Sequence, residues 1–310
     1  MAKGVGPKAR AAADIDEQIA KIIERLGNPE PPLNLKVVRA SLELDFGYYS
    51  AQDSGLLQET VAKLRVAGKQ VILNPMLLVQ AVRKLDLRAL YLPDQRRILL
   101  DKDEPKLKHR WNEAHEIGHS IIPWHEGAML GDNEHSLMPS CHDALEVEAN
   151  FAAARLLFLR DRFRDDAHSL EPSFANLEKL ADRYGNTKTS TFWRCVEHWG
   201  EEAPMVGLIT GHPHPIMRKP DFDPSDPCKH FVQSGPFSKW FSKTRETTVF
   251  DKIVSYCGRQ RGGKLGGKEV ILVDDNGGSH VFEFESFCYH YQTLTLGIYR
   301  REHQPMMQVA

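Results

Sequence analysis

Arg110-Trp111-Asn112-Glu113-Ala114-His115-Glu116-Ile117-Gly118-His119-Ser120 is the stretch on which the reading of this chain turns. At its centre is the pattern H-E-x-x-H. On a helix, residues four apart lie nearly one above the other, so His115 and His119 project from one face. Two imidazoles so placed supply two corners of a tetrahedral zinc site. Glu116 sits beside the first histidine, where a carboxylate serves as general base toward a water at the open coordination position. Ala114, Ile117, Ile121 and Ile122 give this helix an apolar lining. The helix is therefore expected to be buried, and a buried His-Glu-His cluster without an ion is costly.

Working outward, such a site needs a third protein donor. Leu145-Glu146-Val147-Glu148-Ala149-Asn150-Phe151-Ala152-Ala153-Ala154-Arg155-Leu156-Leu157 reads as a second buried helix, Ala-rich and able to pack closely. Glu146 and Asn150 are four apart and share a face. Glu146 is read as the third ligand, with Asn150 orienting a ligand from behind. Glu148 is the alternative, but it lies about 160° round the helix from Glu146 and both cannot face one ion. Glu148 is instead expected to face solvent or pair with Arg155.

With His-Glu-Ile-Gly-His followed by Glu-x-x-Ala-Asn-x-Ala-Ala-Ala, the segment from Arg97 to Leu159 resembles the ImmA/IrrE metallopeptidases, gluzincin-like proteins of bacteria, phages and mobile elements. Two departures flank the motif. Trp111-Asn112 stand where the family commonly has Phe-Thr, and Leu157-Phe158-Leu159 where it commonly has Leu-Met-Pro. The resemblance implies metal ligands at His115, His119 and Glu146, and the general base at Glu116. It also implies a cytosolic helix-turn-helix repressor as substrate, cut to release a stress, phage or mobile-element programme. Zinc suits this N₂O donor set, which also accepts manganese or iron.

Composition narrows the setting. Lys and Arg number 40 against 42 Asp and Glu, so no global charge argues for nucleic acid or an acidic ligand. The five cysteines, Cys141, Cys195, Cys228, Cys257 and Cys288, are widely spaced without C-x-x-C, the usage of reduced thiols. No apolar run has the length of a signal core or a membrane span, so a soluble cytoplasmic protein is expected.

The fold class read from these patterns is α+β. Residues 1–32 comprise a disordered start, 1–13, and a helix from an Asp14 cap to Gly27, with Ile15, Ile19, Ile22, Ile23 and Leu26 on its apolar edge. Residues 33–165 form a mainly helical peptidase domain with a small sheet. Helices are read near 33–42, 57–67 and 75–85, and a hairpin over 88–92 and 97–100. One hairpin strand is a candidate to take the substrate backbone as an added strand. Pro123 to Asp143 reads as a long loop in which His125, His135 and His142 are solvated. Residues 166–200 have a helix-turn-helix outline; DNA reading is the weaker interpretation, because Phe192, Trp193 and Val196 look like core residues, and the resembled family packs this segment on the peptidase. Residues 201–310 read as a β-rich domain, with strands at 205–210, 269–273, 280–287 and 292–299 and a helix near 247–256, and the resemblance implies a sensor-like role for it. Within it 258–268 reads as a flexible basic loop and His212-Pro213-His214-Pro215 as an extended linker.

The reading that results is a zinc-dependent endopeptidase acting on a repressor. Two others stand beside it: a metal-stabilised regulator that binds a repressor or DNA without hydrolysis, and a toxin paired with a repressor as antidote. The intact Glu116 argues against a pure binder, which needs no base there.

Overall fold

A computed structural model of the chain describes residues 6–49, 89–103, 105–129, 139–289 and 292–303. The helices read at 57–67 and 75–85, and His135, fall outside the described residues. The architecture is α+β, in two compact units. The first is built from Val5–Phe163 with Arg183–Asn186, the second from Arg164–Asp182 with Thr187–Ala310.

In the first unit, helix α1 spans Ala9–Arg25 and buries Ile15, Ile19, Ile22 and Ile23. It begins at Ala9 rather than at an Asp14 cap, so 9–13 are helical and not disordered. Ala11, Ala12 and Ala13 are strong helix formers and carry the first turns. Gly27, at φ +74°, ends the helix as read, with Asn28 N–H donating to Ile23 O at 2.9 Å. Asn34 then caps α2, Leu35–Ser41, through its side chain.

Three strands follow: β1 (Asp45–Tyr49), β2 (Ala89–Leu92) and β3 (Arg97–Asp101). The hairpin β2–β3 is antiparallel as expected, but β1 was not legible, and it pairs parallel to β3. The order β1-β3-β2 makes β3 the interior strand, with Ile98, Leu99 and Leu100 all buried. Among the described residues the edge strands are β1 and β2, so β3, paired on both sides, cannot accept an added strand.

Helix α3 (Lys106–Ile121) packs on β2 and β3 and against α5 (Pro139–Leu157). Between them lies α4, Pro123–Met129. The stretch 123–143 is therefore not one long loop: it opens with α4 and closes inside α5, with Cys141 and His142 in the first turns of α5. Pro123 sits at the first helical position, where its missing N–H costs nothing. Helix α1 lies along α5.

Next come α6 (Asp161–His168), whose first three residues count with the first unit, α7 (Phe174–Tyr184), whose last two do, and α8 (Lys188–Trp199) of the second unit. Its sheet is antiparallel, in the order β5-β4-β8-β7-β6, from β4 (Met205–Thr210), β5 (Cys228–Gln233), β6 (Gly263–Val273), β7 (Ser279–Tyr289) and β8 (Gln292–Glu302). Helices α9 (Gly235–Trp240) and α10 (Glu246–Val254) cover one face. Phe237, Phe241, Val249, Phe250 and Ile253 there meet Val206, Leu208, Phe282 and Phe284. On β4 alternate residues face opposite sides, and Gly207 turns to α8, where a Cβ would fall 2.7 Å from the Phe192 ring. Helix α8 is thus seated on β4. Phe192, Cys195 and Val196 are buried in that contact, whereas Trp193 is only half-buried.

The basic segment 258–268 is not a flexible loop throughout. From Gly263 it forms the first half of β6, with a bulge between Lys264 and Gly266, the latter at φ +147°. The ladder to β7 compensates for the glycine entropy. Nor is His212-Pro213-His214-Pro215 a free linker, since His212 is buried and its Nε2 pairs with Gln260 O at 2.8 Å. The Asp274 to Gly278 turn joins β6 and β7 as read, with the Asp274 carboxylate accepting the N–H groups of Asn276 and Gly278.

Candidate metal centre

Helix α3 is fixed from both sides before it presents anything to an ion. Arg39 Nε on α2 donates to Glu113 at 2.6 Å. The Arg110 guanidinium donates to Leu33 O, Tyr184 O and the Asn186 side chain, over 2.8–3.3 Å. At Gly118 the backbones of α3 and α5 nearly touch: an added Cβ would lie 2.9 Å from Ala149 O. Ala149, Ala152 and Ala153 keep the facing side of α5 equally thin, and all three are fully buried.

This close approach brings Glu146 over the paired histidines. His115 Nε2 and His119 Nε2 are 3.2 Å apart. Glu146 stands 3.2 Å from the first and 3.5 Å from the second. A tetrahedral zinc site with bonds of about 2.0–2.1 Å has ligand–ligand edges of about 3.3 Å. The three observed separations match such edges. Among the described residues these three side chains are the group whose ligand atoms all fall within 4.8 Å of one another. The residues present therefore fit a divalent ion with His₂Glu ligation.

Electrostatics agree with that fit. Burial opposes the charge of the Glu146 carboxylate, but hydrogen bonds from His115 and His119 outweigh it and hold its pKa well below the usual carboxylate range. Glu146 stays ionised, the form a cation needs. Burial likewise disfavours a charged His115, yet Glu146 and Glu116 prevail and raise its pKa. Glu116 is 6% exposed. Burial raises its pKa, against the pull of His115, His119 and a hydrogen bond from the Tyr91 backbone N–H on β2. A carboxylate so raised is a stronger base than an ordinary one.

Asn150 stands behind the first histidine, its Oδ1 3.2 Å from His115 Nδ1. All five side chains singled out in the sequence, His115, Glu116, His119, Glu146 and Asn150, thus converge.

Two neighbours differ from their reading. Glu148 neither faces solvent nor pairs with Arg155. It accepts from Trp124 Nε1 at 2.6 Å and pairs with His125 Nε2 at 3.0 Å, while Arg155 bonds Asp16 and Asp161. His125, expected to be solvated, is 0% exposed, with Nδ1 2.9 Å from His119 Nδ1. Burial lowers its pKa to about 4, despite the opposing Glu148. The missed signal was Pro123, which starts a helix right after Ile122 and turns His125 under the site.

Sequence and structure comparisons fit this geometry. Residues 73–191 match the family model described as the IrrE N-terminal-like domain, Peptidase_M78. No curated protein matches the chain. Among solved structures, a Mycobacterium tuberculosis transcriptional regulator superposes with a TM-score of 0.51 at 10% identity, over 92% of this chain and 88% of the other. At that identity the likeness is one of fold. Residues 73–191, which carry the H-E-x-x-H helix and the helix of Glu146, are thus similar to the peptidase domain of the ImmA/IrrE family.

Proposed function

We propose that the protein is a metal-dependent endopeptidase, with zinc as the favoured ion, that cleaves a helix-turn-helix transcriptional repressor. The observation that carries this is the tetrahedral spacing of His115, His119 and Glu146 with the buried Glu116 beside them. The chemistry such an ion supplies when bound is Lewis acidity, toward the attacking water and the scissile carbonyl.

The rest falls to the chain. Glu116 takes a proton from the attacking water and returns it to the departing amine, a shuttle its raised pKa favours. Asn150 holds the His115 ring in place. The Tyr91 N–H on β2 fixes the Glu116 carboxylate. As the edge strand beside Glu116, β2 is the hairpin strand able to take substrate backbone in extended form. A repressor substrate is supported by the family likeness and is compatible with a structural neighbour that is a transcriptional regulator. Seating of α8 on β4 disfavours direct DNA reading by that helix.

The test is incubation with a helix-turn-helix repressor encoded beside the protein, with and without a chelator, read by mass spectrometry. Cleavage is expected, lost with chelator and restored by zinc. Glu116→Gln is expected to lower the rate by at least about a hundredfold while keeping zinc and repressor binding. A Glu116→Gln variant that relieves repression as well as the unaltered protein would overturn hydrolysis in favour of a binding regulator.

A further inference from the structure

We infer that Trp124, Glu148 and the buried His125 form a relay that sets the tautomer of His119, making His125 and Glu148 positioning residues of the metal centre. The inference rests on the metallopeptidase reading above and extends it to residues outside the H-E-x-x-H pattern.

The argument is one of donors and acceptors. An ionised carboxylate only accepts hydrogen bonds. The same Glu148 oxygen, Oε2, lies 2.6 Å from Trp124 Nε1 and 3.0 Å from His125 Nε2. Indole nitrogen only donates, so the Trp124 bond runs to Glu148. The His125 Nε2 must then also carry a proton to bond that oxygen. A neutral imidazole has one proton, which leaves His125 Nδ1 as an acceptor. His119 Nδ1, 2.9 Å away, must donate to it. The lone pair of His119 is thereby placed on Nε2, the atom that faces His115 Nε2 and Glu146. With His125 at 0% exposure, no solvent stands in for a missing partner.

The two histidine ligands are therefore keyed differently. His115 is oriented by one amide oxygen, that of Asn150. His119 is oriented through a second histidine, itself fixed by a carboxylate that α5 contributes and Trp124 anchors. One helix, α5, thus supplies Glu146, Asn150 and Glu148, and so addresses the ion and both imidazoles.

The experiment combines imidazole nitrogen NMR on the metal-free protein with zinc affinity by chelator competition. In the unaltered protein His119 is expected to be protonated at Nδ1 and His125 at Nε2. Glu148→Ala should weaken zinc binding about 10- to 100-fold, while Glu148→Gln, whose amide oxygen still accepts both bonds, should stay within about threefold. His119 protonated at Nε2, or Glu148→Ala binding zinc as tightly as the unaltered protein, would overturn the relay. So would a loss for Glu148→Gln as large as for Glu148→Ala, since the relay calls for an acceptor and not a charge. Should Glu148→Ala fail to fold, the tautomers of the unaltered protein decide alone. Failure of the unaltered protein to bind zinc would instead remove the metallopeptidase reading, and the tautomer result would still judge the relay.

Discussion

Gly118 and Ala149 meet almost backbone to backbone: a Cβ on Gly118 would stand 2.9 Å from the Ala149 carbonyl oxygen and 3.1 Å from the Ala152 Cβ. A backbone oxygen cannot swing aside as a side chain does. Gly118→Ala must therefore push α3 and α5 apart, and overpacking of this kind costs about 1–3 kcal/mol. The same displacement draws Glu146 from the histidines. Urea unfolding and zinc affinity are expected to fall together; unchanged values for both would show that the contact does not set the site.

Asp16 on α1 is held by two arginines, Arg155 in the last turn of α5 and Arg160 in the turn just beyond it. Burial raises its pKa, but the hydrogen bonds from Arg160 and Arg155 outweigh this and lower it below 3.8. A depressed folded-state pKa stabilises the fold above the unfolded value, and that stability is lost as pH falls through the folded one. Asp16→Asn should cost about 1–3 kcal/mol near pH 7. The gap to the unaltered protein should narrow below about pH 4, once the unfolded carboxyl protonates. A gap that holds constant to lower pH, followed by chemical denaturation, would count against the pairing.

Arg110 closes the peptidase unit by donating to Leu33 O, Tyr184 O and Asn186 Oδ1 at once. Three acceptors need the planar fork of a guanidinium, which lysine lacks. Arg110→Ala and Arg110→Lys are both expected to destabilise the fold, by about 2–4 kcal/mol for the alanine. Full stability in the lysine variant would show that charge alone suffices there.

In the second unit, Gly207 on β4 admits the Phe192 ring of α8, and a Cβ there would lie 2.7 Å from two ring carbons and 2.8 Å from Val196. Gly207→Ala should destabilise the unit by about 1–3 kcal/mol, with a change in near-ultraviolet circular dichroism from the displaced aromatic residues. A variant of unaltered stability would mean that α8 lifts off without penalty, reopening a DNA-reading role for it.

Much of the site was legible because its information is local. His115, Glu116 and His119 lie within one helical turn and a half, and Glu146 and Asn150 within one turn of another, so period alone puts each set on a face. The Ile stripe of α1, the β2–β3 hairpin and the β6–β7 turn are local in the same sense. Errors arose where a remote partner decided the outcome. Lys264, Gly266 and Gly267 read as loop residues until β7 supplies their ladder. Asp45 to Tyr49 become a strand only through parallel pairing with β3, a segment far along the chain.

By itself the sequence picked out the side chains that converge at the candidate metal centre and the helices that carry them, because spacing along a helix is geometry written in residue numbers. Tertiary structure alone decided how those helices meet. It placed His125 and Glu148 behind His119 and made β2 rather than β3 an edge strand among the described residues. Those outcomes depend on the packing of segments distant in the chain, where contact follows from shape and hydrogen-bond satisfaction and not from periodicity.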